Sequence, residues 1–444
     1  MNQAFLSYYQ CPEQFADFRP TQSPSKSLGS GYFRFGSDLI GYGAADVQGE
    51  ERADGALLDV LCRVRIEGST CLLPFNPTDI ANNFRYERYV NGAGKSLGKK
   101  LIRGAYYQVR PLLPVSVRRH LQRTWLKGWN KNIFPRWPVD RTVDRMFERL
   151  MALSLQAHQN ARIPFIWFWP EGKSSCAMMT HDVETASGLA FIPELIDVND
   201  SFGIKSSFQI VPEKRYVVGE GALSAIRSRG FEINVHDLKH DGRLFEDHQQ
   251  FLQSALRINR HGIRFGSKGF RSAVLYRNLD WYGALSCSYD MSVPNVGHLD
   301  PQPGGCCTVM PYFIGKILEL PVTTTQDYAL FNILGTYSLD LWREQVSHIM
   351  EHHGLISFIV HPDYLDHCES RSTYAALLGY LAKLRSEAGL WIALPGEVDT
   401  WWRQRSLMKL VRRGVGWQVE GPGAERARVA YATLEKGQVS YLLN

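Results

Sequence analysis

Several apolar runs in this sequence end abruptly in residues that bind metals or move protons. Ala177-Met178-Met179 leads through Thr180 and His181 into Asp182-Val183-Glu184, and Phe231 to Val235 leads into His236-Asp237-Leu238-Lys239-His240. If the first segment stays extended, Asp182 and Glu184 fall on one side of it. If the second makes a helical turn, His236 and His240 stand four residues apart and project together, as metal ligands do. Two imidazoles and a carboxylate form a three-ligand set with a position left for water, the arrangement of catalytic zinc. Each segment also has a plainer alternative: a capped strand end with an exposed loop for the first, solvated or capping histidines for the second.

Three further runs end in polar residues: Arg271 in Gly269-Phe270-Arg271-Ser272, Asp290 in Tyr289-Asp290-Met291-Ser292, and His361 in Ile359-Val360-His361-Pro362. Taken singly, Arg271 pairs a carboxylate, Asp290 caps a turn and His361 is a satisfied core histidine. Five such ends in one sheet are hard to ascribe to packing.

The elements that must position these residues follow a repeated rhythm of helix, glycine and strand. Gly203 precedes IKSSFQIV, Gly230 FEINVH, Gly262 IRFGSKGF, Gly354 LISFIVH and Gly389 LWIALP. Glycine can take the left-handed position that ends a helix, and the short apolar strands that follow suit a buried parallel sheet. Runs at Cys176 to Thr180, Ser286 to Tyr289 and Lys316 to Val322 bring the strands to seven or eight between residues 174 and 396. The spacing therefore predicts an α/β chain folded as a distorted (β/α)7-8 barrel rather than an open doubly wound sheet, with active residues at the C-terminal mouth of the strands.

On this reading residues 166–405 form the barrel. Residues 1–165 form an N-terminal region of uncertain fold, and 406–444 hold the end of a basic helix, Arg403 to Arg413, and a small β appendage. The long connection Asn295 to Gly315 is expected to cover part of the mouth, and its adjacent Cys306 and Cys307 to be ordinary buried thiols.

In order and local sequence these motifs resemble the polysaccharide deacetylase family, the metal-dependent carbohydrate esterases related to the nodulation deacetylases, over about residues 174 to 400. The family's T-F-D-D motif looks like Thr180 to Glu184, and its H-S/T-x-x-H motif like His236 to His240 with Asp237 at the hydroxyl position. Its arginine, aspartate and final histidine motifs look like Gly269 to Ser272, Tyr289 to Pro294 and Ile359 to Pro362. The resemblance implies Asp182 as general base, His236 and His240 as metal ligands, and Arg271 as the partner that keeps Asp182 ionised. It implies Asp290 as the group that orients His361, the general acid. The second Asp of the family's first motif is Val183 here, and some members carry Asp-Val-Asp with the third residue reaching the metal, so Glu184 becomes the carboxylate ligand. The implied cofactor is a divalent metal, zinc first, with nickel, cobalt or manganese as alternatives.

Composition narrows the rest. With 444 residues, 44% hydrophobic and 21% charged, the chain is an ordinary globular protein with room for two or three units. Eight cysteines without a CxxC pair predict reduced thiols, and the N-terminus shows neither a secretory signal nor a membrane span, so a cytoplasmic protein is expected. Of the Lys and Arg residues, twelve fall between Arg88 and Val139, where there is no acid. Nucleic-acid binding is not expected of this tract, which reads either as a helix packed on the barrel or as a peripheral contact with an anionic membrane through 99–136, beside a lipid-linked sugar. Gly92-Ala93-Gly94-Lys95-Ser96 lacks the first glycine of a phosphate loop. The expected function is removal of an N-acetyl or other acyl group from a glycan or lipid-linked sugar in cell-surface or exopolysaccharide biosynthesis. The alternatives are an amidase for a small non-sugar substrate and an inactive barrel that binds glycan.

Overall fold

A computed structural model of the chain describes residues 2–21, 29–92, 124, 126, 128–159, 161–414 and 416–443. The stretch 93–123, which carries most of the basic tract, lies outside the described residues, and so does the greater part of the expected membrane contact over 99–136.

Each of the eight anticipated runs contributes to a strand of one sheet, though only Gly269 and Phe270 of the run after Gly262 and only Tyr289 of Ser286 to Tyr289 do so. The strands are β1 (Ser175–Val183), β2 (Ser207–Ile210), β3 (Glu232–His236), β4 (Gly269–Arg271), β5 (Tyr289–Asp290), β7 (Ile317–Glu319), β8 (Leu355–Ile359) and β9 (Leu390–Ile392), with an unforeseen β6 (Tyr312–Ile314). The order is β6-β7-β5-β4-β3-β2-β1-β8, every pairing is parallel except β6 with β7, and β9 pairs with the start of β1. The segment after β7 then leans on β8, where Thr324 N–H donates to Ser357 O at 3.3 Å and Thr323 Oγ1 to Leu355 O at 2.8 Å. The sheet is a curled, distorted barrel.

Around it stand α1 (Thr142–Ala157), α2 (Ala186–Ser201), α3 (Glu220–Ser228), α4 (His248–Phe265), α5 (Asp340–Met350), α6 (Cys368–Glu387) and α7 (Pro395–Leu407). β1 is buried on both faces, which is why its sequence is apolar until its last residues. One core fills the layer between sheet and helices, with Ala177, Met179, Phe208 and Trp342 among its members. The other joins inward residues such as Met178, Tyr289 and Leu318 to the N-terminal region and α7. None of the helices among the described residues is long and apolar enough to cross a membrane.

The helix stops differ from expectation at two glycines. α4 continues through Gly262 and ends at Gly266, which takes the left-handed conformation (φ 58°). Before β8 the left-handed residue is His353 (φ 59°), and Gly354 is required instead for closeness, since a Cβ there would sit 2.6 Å from Val309.

The basic helix expected over Arg403 to Arg413 breaks after Leu407, and Lys409–Arg413 pairs as a strand with Gly416–Glu420. The strand Ile163–Ile166, immediately ahead of the barrel, pairs with Val429–Glu435 near the other end of the chain, which in turn pairs with Gln438–Leu443. In α7 the buried Arg405 donates to the carbonyls of Tyr8, Ile166 and Trp167 at 2.9, 2.6 and 3.0 Å.

The long connection after β5 meets the mouth segments through Asp300, which accepts Gln326 Nε2–H at 2.9 Å, and it is also tied to the N-terminal region. Asn295 at its start exchanges hydrogen bonds with the Asp140 backbone, Gly305 is held by Glu87 and Tyr89 of the N-terminal region, and by Val309 the segment has reached the start of β8, where its carbonyl accepts Leu355 N–H at 2.8 Å. Cys306 and Cys307 are buried along it, and burial pushes both thiols up.

Candidate metal centre

Strand parity decides what β1 presents. Side chains alternate across a strand, so Thr180 and Asp182 face the barrel interior while His181 and Val183 face the outer layer. His181 packs on Phe208 and Tyr374, its Nδ1 lies 2.9 Å from Val360 O, and burial lowers its pKa to about 4. Val183 is one of the outer core residues, so an acid there would point away from the site. Glu184, one residue beyond the strand, returns to the side of Asp182. Its backbone N–H donates to Asp363 at 3.0 Å, and Thr185 both bonds to Asp363 and caps α2 by accepting Gly188 N–H at 3.2 Å. These contacts fix the turn that aims Glu184.

The segment after β3 is not the helical turn that the histidine spacing predicted. Asp237 and His240 are both left-handed (φ 55° and 54°), and the chain curls tightly enough to bring the two imidazole centroids to 4.7 Å. A left-handed non-glycine residue costs about 1–3 kcal/mol unless its surroundings hold it. Asp237 supplies that hold, since its buried carboxylate accepts Leu238 N–H at 2.5 Å and Ala273 N–H at 3.2 Å.

One ligand atom each from Glu184, His236 and His240 lie within 4.8 Å of one another, the one such group among the described residues. His236 presents Nε2 to the cluster because its Nδ1 is 3.1 Å from Arg271 O. His240 Nε2 is 2.9 Å from Glu184 Oε1 without hydrogen-bond alignment, and both Nε2 atoms are buried with no hydrogen-bond partner among the described residues. Buried polar atoms are ordinarily satisfied. Two converging imidazole nitrogens and a carboxylate fit a divalent cation of the zinc type. Burial lowers the His236 pKa to about 4, which keeps the ring neutral and able to ligate. At Glu184 burial opposes ionisation, but the facing histidines, His240 first, outweigh it and hold the carboxyl well below its usual range.

Asp182 borders this cluster, with Oδ2 3.8 Å from His236 Nε2 and Oδ1 3.2 Å from Arg271 Nη1. Burial would raise its pKa, yet Arg271, His236 and His361 together lower it. Arg271 is completely buried, and its Nε and Nη2 have no partner among the described residues. His361 borders the cluster at Glu184, Nε2 to Oε1 3.6 Å. Its partner is Asp327, whose carboxylate lies 2.6 Å from Nδ1 and accepts the His361 backbone N–H at 2.7 Å. Burial disfavours the imidazolium, but Asp327 and then Glu184 and Asp182 more than offset it, and the pKa rises to about 10.

Asp290 does not orient His361, contrary to the motif assignment. In the parallel register Asp290 is opposite Phe270, an outer core residue, whereas Tyr289 is opposite Gly269 on the inner face. Asp290 therefore lies on the far side of the sheet from Asp182. It accepts from Ser292 Oγ at 2.7 Å and Ser292 N–H at 3.0 Å, and burial raises both Asp290 and its hydrogen-bonded neighbour Glu319. Asp327 is the residue that motif reading missed. It belongs to a polar stretch, Thr323 to Asp327, directly after a strand, the same signal that marked the other site residues.

No protein-family model matches the chain, and no curated protein does. Among solved structures it is similar to a Mycobacterium smegmatis protein assigned provisionally as a polysaccharide deacetylase (18% identity, 56% of this chain and 98% of that one, TM-score 0.45). It is also similar to Puue allantoinase (12% identity, 53% and 92%, TM-score 0.40) and to the peptidoglycan deacetylase PdaC from Bacillus subtilis (10% identity, 53% and 95%, TM-score 0.34). A Pseudomonas aeruginosa PAO1 protein described as a probable polysaccharide deacetylase is similar as well (12% identity, 53% and 93%, TM-score 0.40).

Proposed function

We propose that this protein is a metal-dependent hydrolase that removes an N-acetyl group from a sugar, acting in the assembly of a cell-surface or secreted polysaccharide. The observation that carries the reading is the convergence of Glu184, His236 and His240 within 4.8 Å, with an Arg-paired Asp182 on one flank and an Asp-paired His361 on the other. The sugar comes from the motif resemblance, and the side chains supply the C–N hydrolysis.

Glu184, His236 and His240 would hold the cation, zinc by the nature of the donor set, with nickel, cobalt or manganese as alternatives. When bound, a divalent cation supplies Lewis-acid polarisation of the amide carbonyl and makes water easier to deprotonate. Asp182, ionised by Arg271, accepts the proton of the attacking water on Oδ2, the oxygen not engaged by the guanidinium. His361, protonated at neutral pH, gives its Nε2 proton to the departing nitrogen, while Asp327 holds Nδ1 and the ring orientation. The C–N bond breaks, and the products are a free amine and acetate. Splitting base and acid between two groups with opposite pKa shifts keeps both in working form at neutral pH.

The test is elemental analysis of chelator-free protein together with acetate release from N-acetylated oligosaccharides. Wild type that neither contains nor takes up a divalent cation, or metal-loaded wild type that releases no acetate from any of them, would refute the reading.

A further inference from the structure

The rim of the barrel mouth is unevenly charged. The segments that leave β2 (211–219) and β3 (237–243) lie side by side, joined by a hydrogen bond from Glu213 N–H to Leu238 O at 3.1 Å. They carry Lys214, Arg215, Lys239 and Arg243, and none of these four makes an ion pair with a carboxylate among the described residues.

The acids on the same segments are already engaged. Glu213 is bound by Arg257 and by His261 at 3.1 Å, Asp237 holds the histidine turn, and Asp241 caps Arg243 N–H at 3.0 Å. Glu246 and Asp247 lie further on, at the start of α4, where Asp247 caps Gln250 N–H.

Arg215 is the cation nearest the chemistry. Its Nη2 donates to His240 O at 2.5 Å and lies 3.1 Å from His240 Nδ1, so the guanidinium is fixed beside a ligand of the candidate centre. The residue is nevertheless exposed, and its Nη1 and Nε have no partner among the described residues. An exposed guanidinium held by one nitrogen, with its other donors uncommitted, matches the planar acceptor pair of a carboxylate or phosphate.

We propose that Arg215, backed by Lys214 and Arg243, binds an anionic group on the glycan, so that the preferred substrate is an N-acetylated sugar joined to a unit bearing a carboxylate or a phosphate. The inference rests on the deacetylase reading and narrows its substrate class. A uronic acid and a sugar phosphate offer the same chemistry to the guanidinium, and the choice of probes separates them.

The metal-loaded full chain is assayed for acetate release from N,N′-diacetylchitobiose, which is neutral, from a hyaluronan tetrasaccharide, which carries carboxylates, and from UDP-N-acetylglucosamine, which carries phosphates. Binding of the same probes to Asp182→Asn is measured in parallel by calorimetry. One anionic probe should exceed the neutral one by about tenfold or more in kcat/KM, through KM, and the advantage should shrink with added salt. Arg215→Gln, assayed at saturating metal because its guanidinium also touches His240, should abolish most of that preference, and Lys214→Gln/Arg243→Gln, which touches no candidate ligand, should reduce it in part.

Equal use of neutral and anionic probes, or a preference that survives Arg215→Gln, overturns the inference and leaves deacetylation standing. If no probe is turned over but an anionic one binds to Asp182→Asn and not to Asp182→Asn/Arg215→Gln, anion recognition stands and the deacetylase reading falls. Absence of both turnover and binding overturns both.

Discussion

Asp327 holds His361 at two points, 2.7 Å from its backbone nitrogen and 2.6 Å from Nδ1. Both contacts come from one buried carboxylate that leads into a short π-helical turn (Ala329–Leu334), so ring orientation and ring charge have a common origin. The imidazolium is lost as pH rises through about 10, and proton donation by His361 is lost with it. Replacing Asp327 by Asn removes the charge that raises this pKa. The alkaline limb of the kcat/KM profile should then move down toward the ordinary histidine range, about 6.5, and activity at pH 8 should fall by up to about 30-fold. A pH–rate profile of Asp327→Asn with an unshifted alkaline limb would contradict the assignment.

Metal retention should separate ligands from catalytic neighbours. Glu184→Ala and His236→Ala each delete a donor atom and should emerge from chelator-free purification with little metal. Asp182→Asn should keep its metal and lose about 10²–10⁴-fold in turnover, as removal of a general base implies. Elemental analysis of the three variants beside wild type decides the matter, and metal loss in Asp182→Asn would place that carboxylate among the ligands instead.

Asp237 is buried and fixes the curl that sets His240 against His236. Asp237→Ala loses two buried hydrogen bonds and places a residue less tolerant of positive φ at 55°. The affinity for zinc should fall by about 10–100-fold, the usual consequence of losing a group that orients ligands. Competition with a chromophoric chelator measures it.

Asp290 provides the contrasting case. Asp290→Asn should keep turnover within a few-fold of wild type, because its side chain is on the opposite face of the sheet from Asp182. Since burial favours the protonated form of both Asp290 and Glu319, a neutral amide should also leave thermal stability little changed. A collapse of kcat without loss of melting temperature would return Asp290 to the catalytic machinery.

The barrel was legible because parallel strands buried on both faces leave apolar runs of recognisable length, and each of the eight runs contributes to a strand. β6 was not, since Tyr312–Ile314 is three residues of antiparallel pairing inside a long connection. Gly262 misled because a glycine inside an amphipathic helix and one that ends it look alike in sequence. The stop is set by the left-handed backbone of Gly266 four residues later. The face of Asp290 was hidden for a related reason. β5 is only two residues long, so its parity comes from register with β4 and not from any alternation of its own. For Glu184, by contrast, parity with Asp182 could be counted directly, and the turn placed both on the inner side.

Arg405 sets a limit on how the molecule can be divided. No acid pairs its guanidinium among the described residues; burial lowers its pKa to about 9, and carbonyls of Tyr8, Ile166 and Trp167 accept its hydrogens instead. A fragment trimmed to 163–407 would lose the Tyr8 and Tyr9 carbonyls that accept from this buried cation. It would also leave Ile163–Ile166 as a raw sheet edge, because the hydrogen bonds of that strand come from Val429–Ala432. Residues 163–407 therefore depend on both flanks. Shortened expression clones should be insoluble, and a protease nick in either flank should abolish activity at a distance from the metal.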